Sequence, residues 1–151
     1  MRHALLLAAE AAHHGDVPVG ACVVIGGTVV AEGFNTRERA NDPCGHAELI
    51  AIRTAAQSRG DWRLDGATVY VTLEPCAMCA GAMVLARIER CVYAARDPKG
   101  GFLGTLADLS NHPGLNHRFT VTGGVLEDEA SAQLKAFFVA LRSRRKKGPG
   151  Y

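Results

Sequence analysis

The chain has 151 residues, 48% of them hydrophobic, and a formal net charge of +2 at neutral pH. Its length and apolar content suffice for one domain over residues 1–151, and it has no internal repeat or low-complexity segment, which excludes a repeat array or a disordered chain. The small net charge does not by itself indicate a nucleic-acid partner, and no apolar run approaches the roughly 18 residues of a membrane-spanning helix, so we expect no membrane association.

The first half of the chain is predicted to form a helix, a hairpin and a second helix. The N-terminal residues have the spacing of an amphipathic helix. Residues 17–25 and 28–34 are rich in β-branched residues, and the pair Gly26-Gly27 between them is typical of a two-residue hairpin turn. Apolar residues then recur at helical intervals, which predicts a helix over residues 46–59.

The second half alternates strands and helices. We predict a strand over residues 67–73, a helix over residues 76–86 and a strand over residues 90–95. Residues 97–118 are rich in Gly, Pro, His and Asn and should form mostly loop, and a final helix is predicted over residues 125–147. Alternating elements imply parallel strands with helices on both faces, so we expect a three-layer α/β/α sandwich that begins with an antiparallel pair.

Two short motifs, His46-Ala47-Glu48 and Pro75-Cys76-Ala77-Met78-Cys79, contain the residue types that bind zinc. Cys76 and Cys79 stand three positions apart, which places both sulfurs on one face of a helix. One imidazole and two thiolates leave the fourth position of a tetrahedral zinc open, whereas structural sites close with four protein ligands. Zinc lowers the pKa of a bound water from about 15.7 to near 7. Glu48 is placed to move the protons of that water, so we expect one catalytic zinc per chain.

The cysteines leave alternatives open. A Cys-x-x-Cys pair alone also fits a redox pair or half of a structural zinc site, although neither explains the His-x-Glu motif upstream. Cys44, two residues before His46, is a possible competing ligand, whereas Cys22 and Cys91 lie in apolar runs and should be buried. Five cysteines, an odd number that includes reduced ligands, argue against a disulfide framework and for a cytoplasmic protein.

His-x-Glu combined with Pro-Cys-x-x-Cys is the recognised signature of zinc nucleobase deaminases, in which the glutamate is the acid/base and not a ligand. Within that superfamily, the chain resembles the bacterial tRNA adenosine deaminases of the TadA type. The histidine-rich loop and the terminal helix with Phe137-Phe138 favour the tRNA branch. The resemblance runs almost end to end and rests on Val17-Pro18-Val19-Gly20, Gly33-Phe34-Asn35, His46-Ala47-Glu48, Tyr70-Val71-Thr72-Leu73-Glu74-Pro75-Cys76, Cys79-Ala80-Gly81-Ala82-Met83, Ala95-Arg96-Asp97 and His112-Pro113-Gly114-Leu115-Asn116-His117-Arg118.

The resemblance implies a cytidine deaminase-like fold with a mixed five-stranded sheet, and hydrolysis of adenosine to inosine at the first (wobble) anticodon position of a tRNA. It implies zinc on His46, Cys76 and Cys79, the anticodon stem-loop as partner, and a homodimer. A free-base or nucleoside deaminase acting on guanine or cytidine shares the zinc motif and is the alternative. A non-catalytic zinc protein that binds RNA would not need Glu48.

The resemblance also implies contacts with the substrate. Asn35 matches an asparagine that hydrogen-bonds the flipped base and its sugar, Ala47 offers a backbone N–H to the purine, and Val17 packs on the base. Asp97 matches an aspartate near the ribose. A turn-forming aspartate before Pro98 is the alternative explanation for that residue.

Further RNA contacts are implied at the C-terminal side. Asn116 and His117 match loop residues near the tRNA, with simple solvation as the alternative. Residues 142–147 form a basic helix end whose five positive charges leave −3 for the rest of the chain. Such a run is either a solvated helix end or a site that binds phosphates. The resemblance favours the second explanation and implies a tRNA contact for Arg142.

Overall fold

The computed structural model describes residues 1–146, which form ten helices and strands. In chain order these are α1 (Arg2–His13), β1 (Gly20–Ile25), β2 (Thr28–Phe34), α2 (Arg37–Ala40), α3 (Ala47–Arg59), β3 (Thr68–Leu73), α4 (Ala77–Leu85), β4 (Arg90–Ala95), β5 (Thr120–Thr122) and α5 (Glu127–Lys146). Every helix and strand located from the sequence is confirmed to within a few residues. Lys147, assigned above to the final helix, lies outside the described residues.

The strands form one mixed sheet in the order β2-β1-β3-β4-β5. β1 pairs antiparallel with β2 and β3, whereas β3, β4 and β5 are parallel. The hairpin between β1 and β2 turns at Gly26 and Gly27, whose φ angles are +57° and +78°. Positive φ at both turn residues is what a type I′ turn requires, so the predicted hairpin and its antiparallel pair are confirmed.

Helices cover both faces of the sheet. α1 and α5 contact each other and pack on one face, and α3 and α4 contact each other on the other. The three-layer α/β/α sandwich is therefore confirmed. A side chain at Gly33 on β2 would overlap the carbonyl oxygen of Ala47, so this glycine allows the first turn of α3 to lie directly against the sheet.

The topology brings the carboxyl ends of two strands and the beginnings of two helices to one edge of the sheet. β3 and β4 are parallel, so their carboxyl ends meet there, and α4 begins only four residues after β3 ends. The beginning of α3 lies at the same edge, where the imidazole of His46 is within 3.6 Å of the Cys76 sulfur at the start of α4. None of the helices within residues 1–146 combines the length and the apolar character that crossing a membrane requires.

Candidate active site

The three residues predicted to bind zinc lie together. One donor atom from each of His46, Cys76 and Cys79 falls within 4.8 Å of the others. His46 and Cys76 are the cap residues at the beginnings of α3 and α4, and Cys79 lies in the first turn of α4. The Nδ1 atom of His46 is 3.6 Å from the Cys76 sulfur and 3.5 Å from the Cys79 sulfur, which makes Nδ1 the nitrogen that faces the thiols.

This donor set fits zinc. Two sulfurs and one imidazole nitrogen are the ligands that tetrahedral zinc prefers. Within residues 1–146, Cys44 is exposed and does not belong to the group, so the cluster offers three protein donors, which would leave one position of a tetrahedral zinc open. The beginnings of two helices point at the cluster, and their positive dipole ends stabilise thiolates.

Hydrogen bonding within the cluster shifts the pKa values of the two thiols in opposite directions. The Cys79 thiol donates to the Cys76 sulfur, which lowers the pKa of Cys76 to about 4, and the imidazole of His46 reinforces the effect. The same shared proton raises the pKa of Cys79. The bond to Cys76 also raises the pKa of His46. Cys76 is therefore the sulfur that is ionised first, and thiolate is the form that binds metal.

Glu48 has the environment of a proton-transfer group. It lies in the first turn of α3, and its side chain is only 4% exposed. Burial, the largest effect, raises the pKa of Glu48 to about 7, and the nearby Cys76 acts in the same direction. A carboxyl group with a pKa near neutrality gives up and accepts protons with equal ease, which suits general acid/base catalysis.

The cluster opens into a cavity of about 190 Å³. This volume is below the roughly 300 to 1,000 Å³ of pockets for drug-sized ligands, so the cavity suits a ligand about as large as one nucleobase. All four residues predicted to contact the base and ribose line it: Val17, Asn35, Ala47 and Asp97. The four residues named from the resemblance therefore line one cavity together with His46, Glu48 and Cys76.

Comparison with known proteins agrees with this geometry. Residues 1–95 match the cytidine and deoxycytidylate deaminase zinc-binding region. The tRNA-specific adenosine deaminase of Bacillus subtilis (strain 168) is 48% identical over 146 residues, which cover 97% of this chain and 91% of that protein. The chain belongs to the tRNA-specific adenosine deaminase family.

Two solved structures have a fold similar to that of this chain. A structure from a study of A-to-I editing by tRNA:A34 deaminases at the wobble position of transfer RNA has a TM-score of 0.86 and 42% identity, covering 89% of this chain and 97% of that one. A guanine deaminase from Nitrosomonas europaea has a TM-score of 0.76 and 25% identity, covering 91% of this chain and 82% of that one. The fold is thus shared with a free-base deaminase, whereas the higher identity lies with the tRNA enzymes.

In this tRNA-specific adenosine deaminase family member, the backbone holds Asn35 in a fixed orientation. Its Nδ2 donates to the Val17 carbonyl oxygen at 3.3 Å, and its Oδ1 accepts from the Arg37 N–H at 3.3 Å. An amide has two donors and two acceptor sites, so one of each has no partner among these two bonds. Ala47 is the first residue of α3, and the first N–H groups of a helix have no partner within it, which leaves the Ala47 N–H available to a ligand.

Asn116, His117 and Arg142 do not line this cavity. The His117 Nε2 atom is 2.7 Å from the Ile88 carbonyl oxygen, and His117 lines a second cavity with Arg87 and Arg118. Ile88 precedes β4, so this second cavity lies at the amino ends of the parallel strands, at the edge opposite the zinc cluster. Asn116 and Arg142 are exposed. Their contacts with RNA stay predictions.

Residues that the sequence interpretation did not include also line the site, notably Arg37 and Glu74. Arg37 lies on α2, a single turn that is too short to give a periodic signal. The buried Asp16 holds that turn, because its carboxylate accepts the N–H groups of Glu38 at 2.7 Å and Arg39 at 3.2 Å. The position of Glu74 directly before Pro75-Cys76 is the signal that points to it.

Proposed function

We propose that this protein hydrolyses adenosine to inosine at the wobble position of a tRNA anticodon. The observation that carries the proposal is that His46, Glu48 and Cys76 line one cavity of base size, with the Cys79 sulfur clustered beside His46 and Cys76. Membership of the tRNA-specific adenosine deaminase family supports the tRNA as substrate. The assignment of individual residues to metal, proton transfer and substrate is part of the proposal.

The chemistry follows from the positions of the side chains. His46 Nδ1 and the sulfurs of Cys76 and Cys79 would hold one zinc ion per chain, and that ion would supply a water of lowered pKa. Glu48 would take one proton from the attacking water as its oxygen bonds to C6 of adenine, and would pass that proton to the ring nitrogen. It would then take the second proton, from the new hydroxyl group at C6, and deliver it to the departing amine. The C6–N bond breaks, ammonia leaves, and the water oxygen becomes the carbonyl oxygen of inosine.

The remaining residues bind and orient the base. The free N–H and acceptor site of Asn35 and the N–H of Ala47 provide polar contacts in a cavity whose walls include Val17, Val19 and Leu73. A base enters such a cavity only after it leaves its stack. Unstacking costs a few kcal/mol and is cheapest in a single-stranded loop, which favours an anticodon loop over a duplex.

The test of the proposed function uses an RNA stem-loop with adenosine at the first anticodon position. We expect conversion to inosine, measured by sequencing or by release of ammonia, because contacts with the flanking sugar and phosphate orient the reacting base. A matched stem-loop with the adenosine moved by one loop position should be inert, and free adenine, guanine and cytidine should react negligibly. Efficient turnover of guanine with an inert stem-loop would instead establish the free-base alternative.

We also propose that the end of α5 binds phosphates of the tRNA. Arg142, Arg144 and Arg145 are exposed, and Phe138 on the same helix is 40% exposed, so basic and aromatic side chains share this surface. Phosphate contacts provide affinity and salt dependence, and aromatic rings stack on unpaired bases.

Changing the three arginines to alanine should raise the KM for the stem-loop and leave kcat nearly unchanged. Each lost phosphate contact should reduce the slope of log affinity against log salt by about 0.7 to 0.9. The matched control is Lys135→Ala, a change of an exposed cation nearer the start of α5. An unchanged salt slope in the triple variant would identify the basic end as a solvated helix terminus.

We propose that the homodimer forms through α4. Met78, Gly81, Ala82 and Leu85 follow helical spacing along one face of this helix, and Leu85 is 69% exposed. A Cβ atom at Gly81 would meet no atom within 4 Å apart from its chain neighbours and the backbone of its own helix, whereas Ala80 is buried in the core. A second copy is the occupant that the resemblance supports. Sedimentation equilibrium should give a mass near twice 16.0 kDa, and Gly81→Arg should give a monomer.

We propose a cytoplasmic location. The substrate class places the enzyme where tRNAs are modified and used. All five cysteines are free thiols, which suits a reducing compartment.

A further inference from the structure

A buried carboxylate at the end of β3 organises the loop after β4. Glu74 is 2% exposed, and its two oxygens accept four hydrogen bonds. Oε1 accepts the backbone N–H groups of Leu103 at 3.2 Å and Thr105 at 3.1 Å. Oε2 accepts the backbone N–H of Asp97 at 3.1 Å and the hydroxyl of Thr105 at 2.6 Å. Four donors occupy the four lone-pair sites of an ionised carboxylate.

The loop, residues 97–105, closes tightly around this carboxylate. The Gly101 N–H donates to the Asp97 carbonyl oxygen at 3.0 Å, and the Phe102 N–H donates to the Pro75 carbonyl oxygen at 2.9 Å. A Cβ atom at Gly101 would overlap the carboxylate of Glu74. Only glycine therefore allows the loop to approach Glu74 as closely as it does.

Glu74 lies between Cys76, a predicted zinc ligand, and the loop that contains Asp97. It stands two residues before Cys76 at the start of α4, and its Oε2 accepts the backbone N–H of Asp97, a residue that lines the cavity and whose own Oδ1 accepts the Lys99 N–H at 3.0 Å. Its lone pairs are all used by the loop, so Glu74 has none left for a metal or a substrate. Its influence on the reaction must pass through the residues that it holds.

We propose that Glu74 is a positioning residue that fixes the loop of residues 97–105, and with it Asp97, against the sugar side of the bound nucleotide. This inference rests on the proposed function, because Asp97 acts on the ribose only if a nucleotide is the substrate. Glu74 then sets the affinity for RNA and leaves the chemistry at Glu48 and the metal ligands unaffected.

The number of acceptors at Glu74, and not the volume of its side chain, is what the loop requires. Glutamine has the same size, but its amide replaces one acceptor oxygen with a donor NH₂ group. The NH₂ group would face two of the four hydrogen-bond donors that now bind the carboxylate of Glu74. At least one backbone N–H would be left without a partner in a buried position, which is unfavourable enough to release the loop.

The experiment compares Glu74→Gln with Glu32→Gln, a matched change at an exposed glutamate on β2 that pairs with His3. We expect Glu74→Gln to raise the KM for the stem-loop at least about tenfold, to change kcat less than about threefold, and to retain full zinc. Amide hydrogen exchange at Asp97, Leu103 and Thr105 should accelerate at least about tenfold. Glu32→Gln should alter none of these quantities.

Gly101→Ala provides an independent route to the same result, because it displaces the loop while Glu74 stays intact. It should raise KM and accelerate exchange with the same pattern. Thr105→Val removes only the hydroxyl bond, so it should give an intermediate rise in KM and reports on the loop even if Glu74→Gln does not fold.

Two outcomes contradict the proposal. Unchanged exchange and KM in both Glu74→Gln and Thr105→Val would show that the loop does not depend on Glu74. A loss of zinc and kcat at constant KM would show that Glu74 supports the metal site. If the parent protein leaves the stem-loop unmodified, the proposed function fails, whereas hydrogen exchange still decides whether Glu74 holds the loop.

Discussion

Replacing Glu48 with glutamine should lower kcat by about 10²- to 10⁴-fold, the usual contribution of a general acid/base. The loss should reach the upper end of that range because one carboxyl group serves the attack and both protonations. Glutamine preserves the size of a side chain that is almost fully buried, so the cavity should keep its shape. Single-turnover conversion of the stem-loop, with zinc content measured on the same sample, provides the test.

Glu48→Gln should keep both its zinc and its affinity for RNA, because the carboxylate of Glu48 is not among the three clustered donors. The variant separates proton transfer from metal binding. Conversion within tenfold of the parent rate would mean that another group moves the protons. Loss of zinc would mean that Glu48 holds the metal, either directly or through Cys79.

The zinc cluster was predictable because its residues are defined by local spacing. His46 and Cys76 each begin a helix, and helix starts are visible in the apolar periodicity and in Pro75. Cys79 follows from its position one turn after Cys76. Once two parallel strands and two helices are predicted, topology fixes the edge of the sheet where these helices begin, whereas Val17, Asn35 and Asp97 were expected at the site only through the resemblance.

The residues that the sequence did not reveal act through contacts distant in the chain. Glu74 accepts hydrogen bonds from residues 23 to 31 positions away, and Asp16 holds a helical turn 22 and 23 positions away. The periodic spacing of apolar residues does not reveal hydrogen-bond partners that lie so far apart in the sequence. β5 has three residues, which is too short for a strand signal, and it was expected only through the resemblance.

His117 lies apart from the residues that surround the cavity. Its motif resembles one near the tRNA, and its ring contacts the Ile88 carbonyl oxygen at the edge opposite the predicted zinc ligands. The tRNA contact of His117 therefore stays a prediction.

Replacing Cys79 with alanine should abolish zinc binding and, with it, turnover. Cys79 is fully buried, and its sulfur is one of only three clustered protein donors within residues 1–146. Changes in residues that merely support metal ligands typically cost about 10- to 100-fold in metal affinity, so loss of a ligand should cost more. Zinc per chain, measured by mass spectrometry of metals after dialysis, should fall from one to near zero.

The same variant should unfold at a lower temperature, because metal that binds only the folded state stabilises that state. Cys44→Ala is the matched control. Its thiol is exposed and outside the cluster, although it lies two residues from His46, so that variant should keep one zinc, the parent melting temperature and full turnover. Full zinc occupancy in Cys79→Ala would contradict the proposed ligand set, and loss of zinc in Cys44→Ala would add Cys44 to that set.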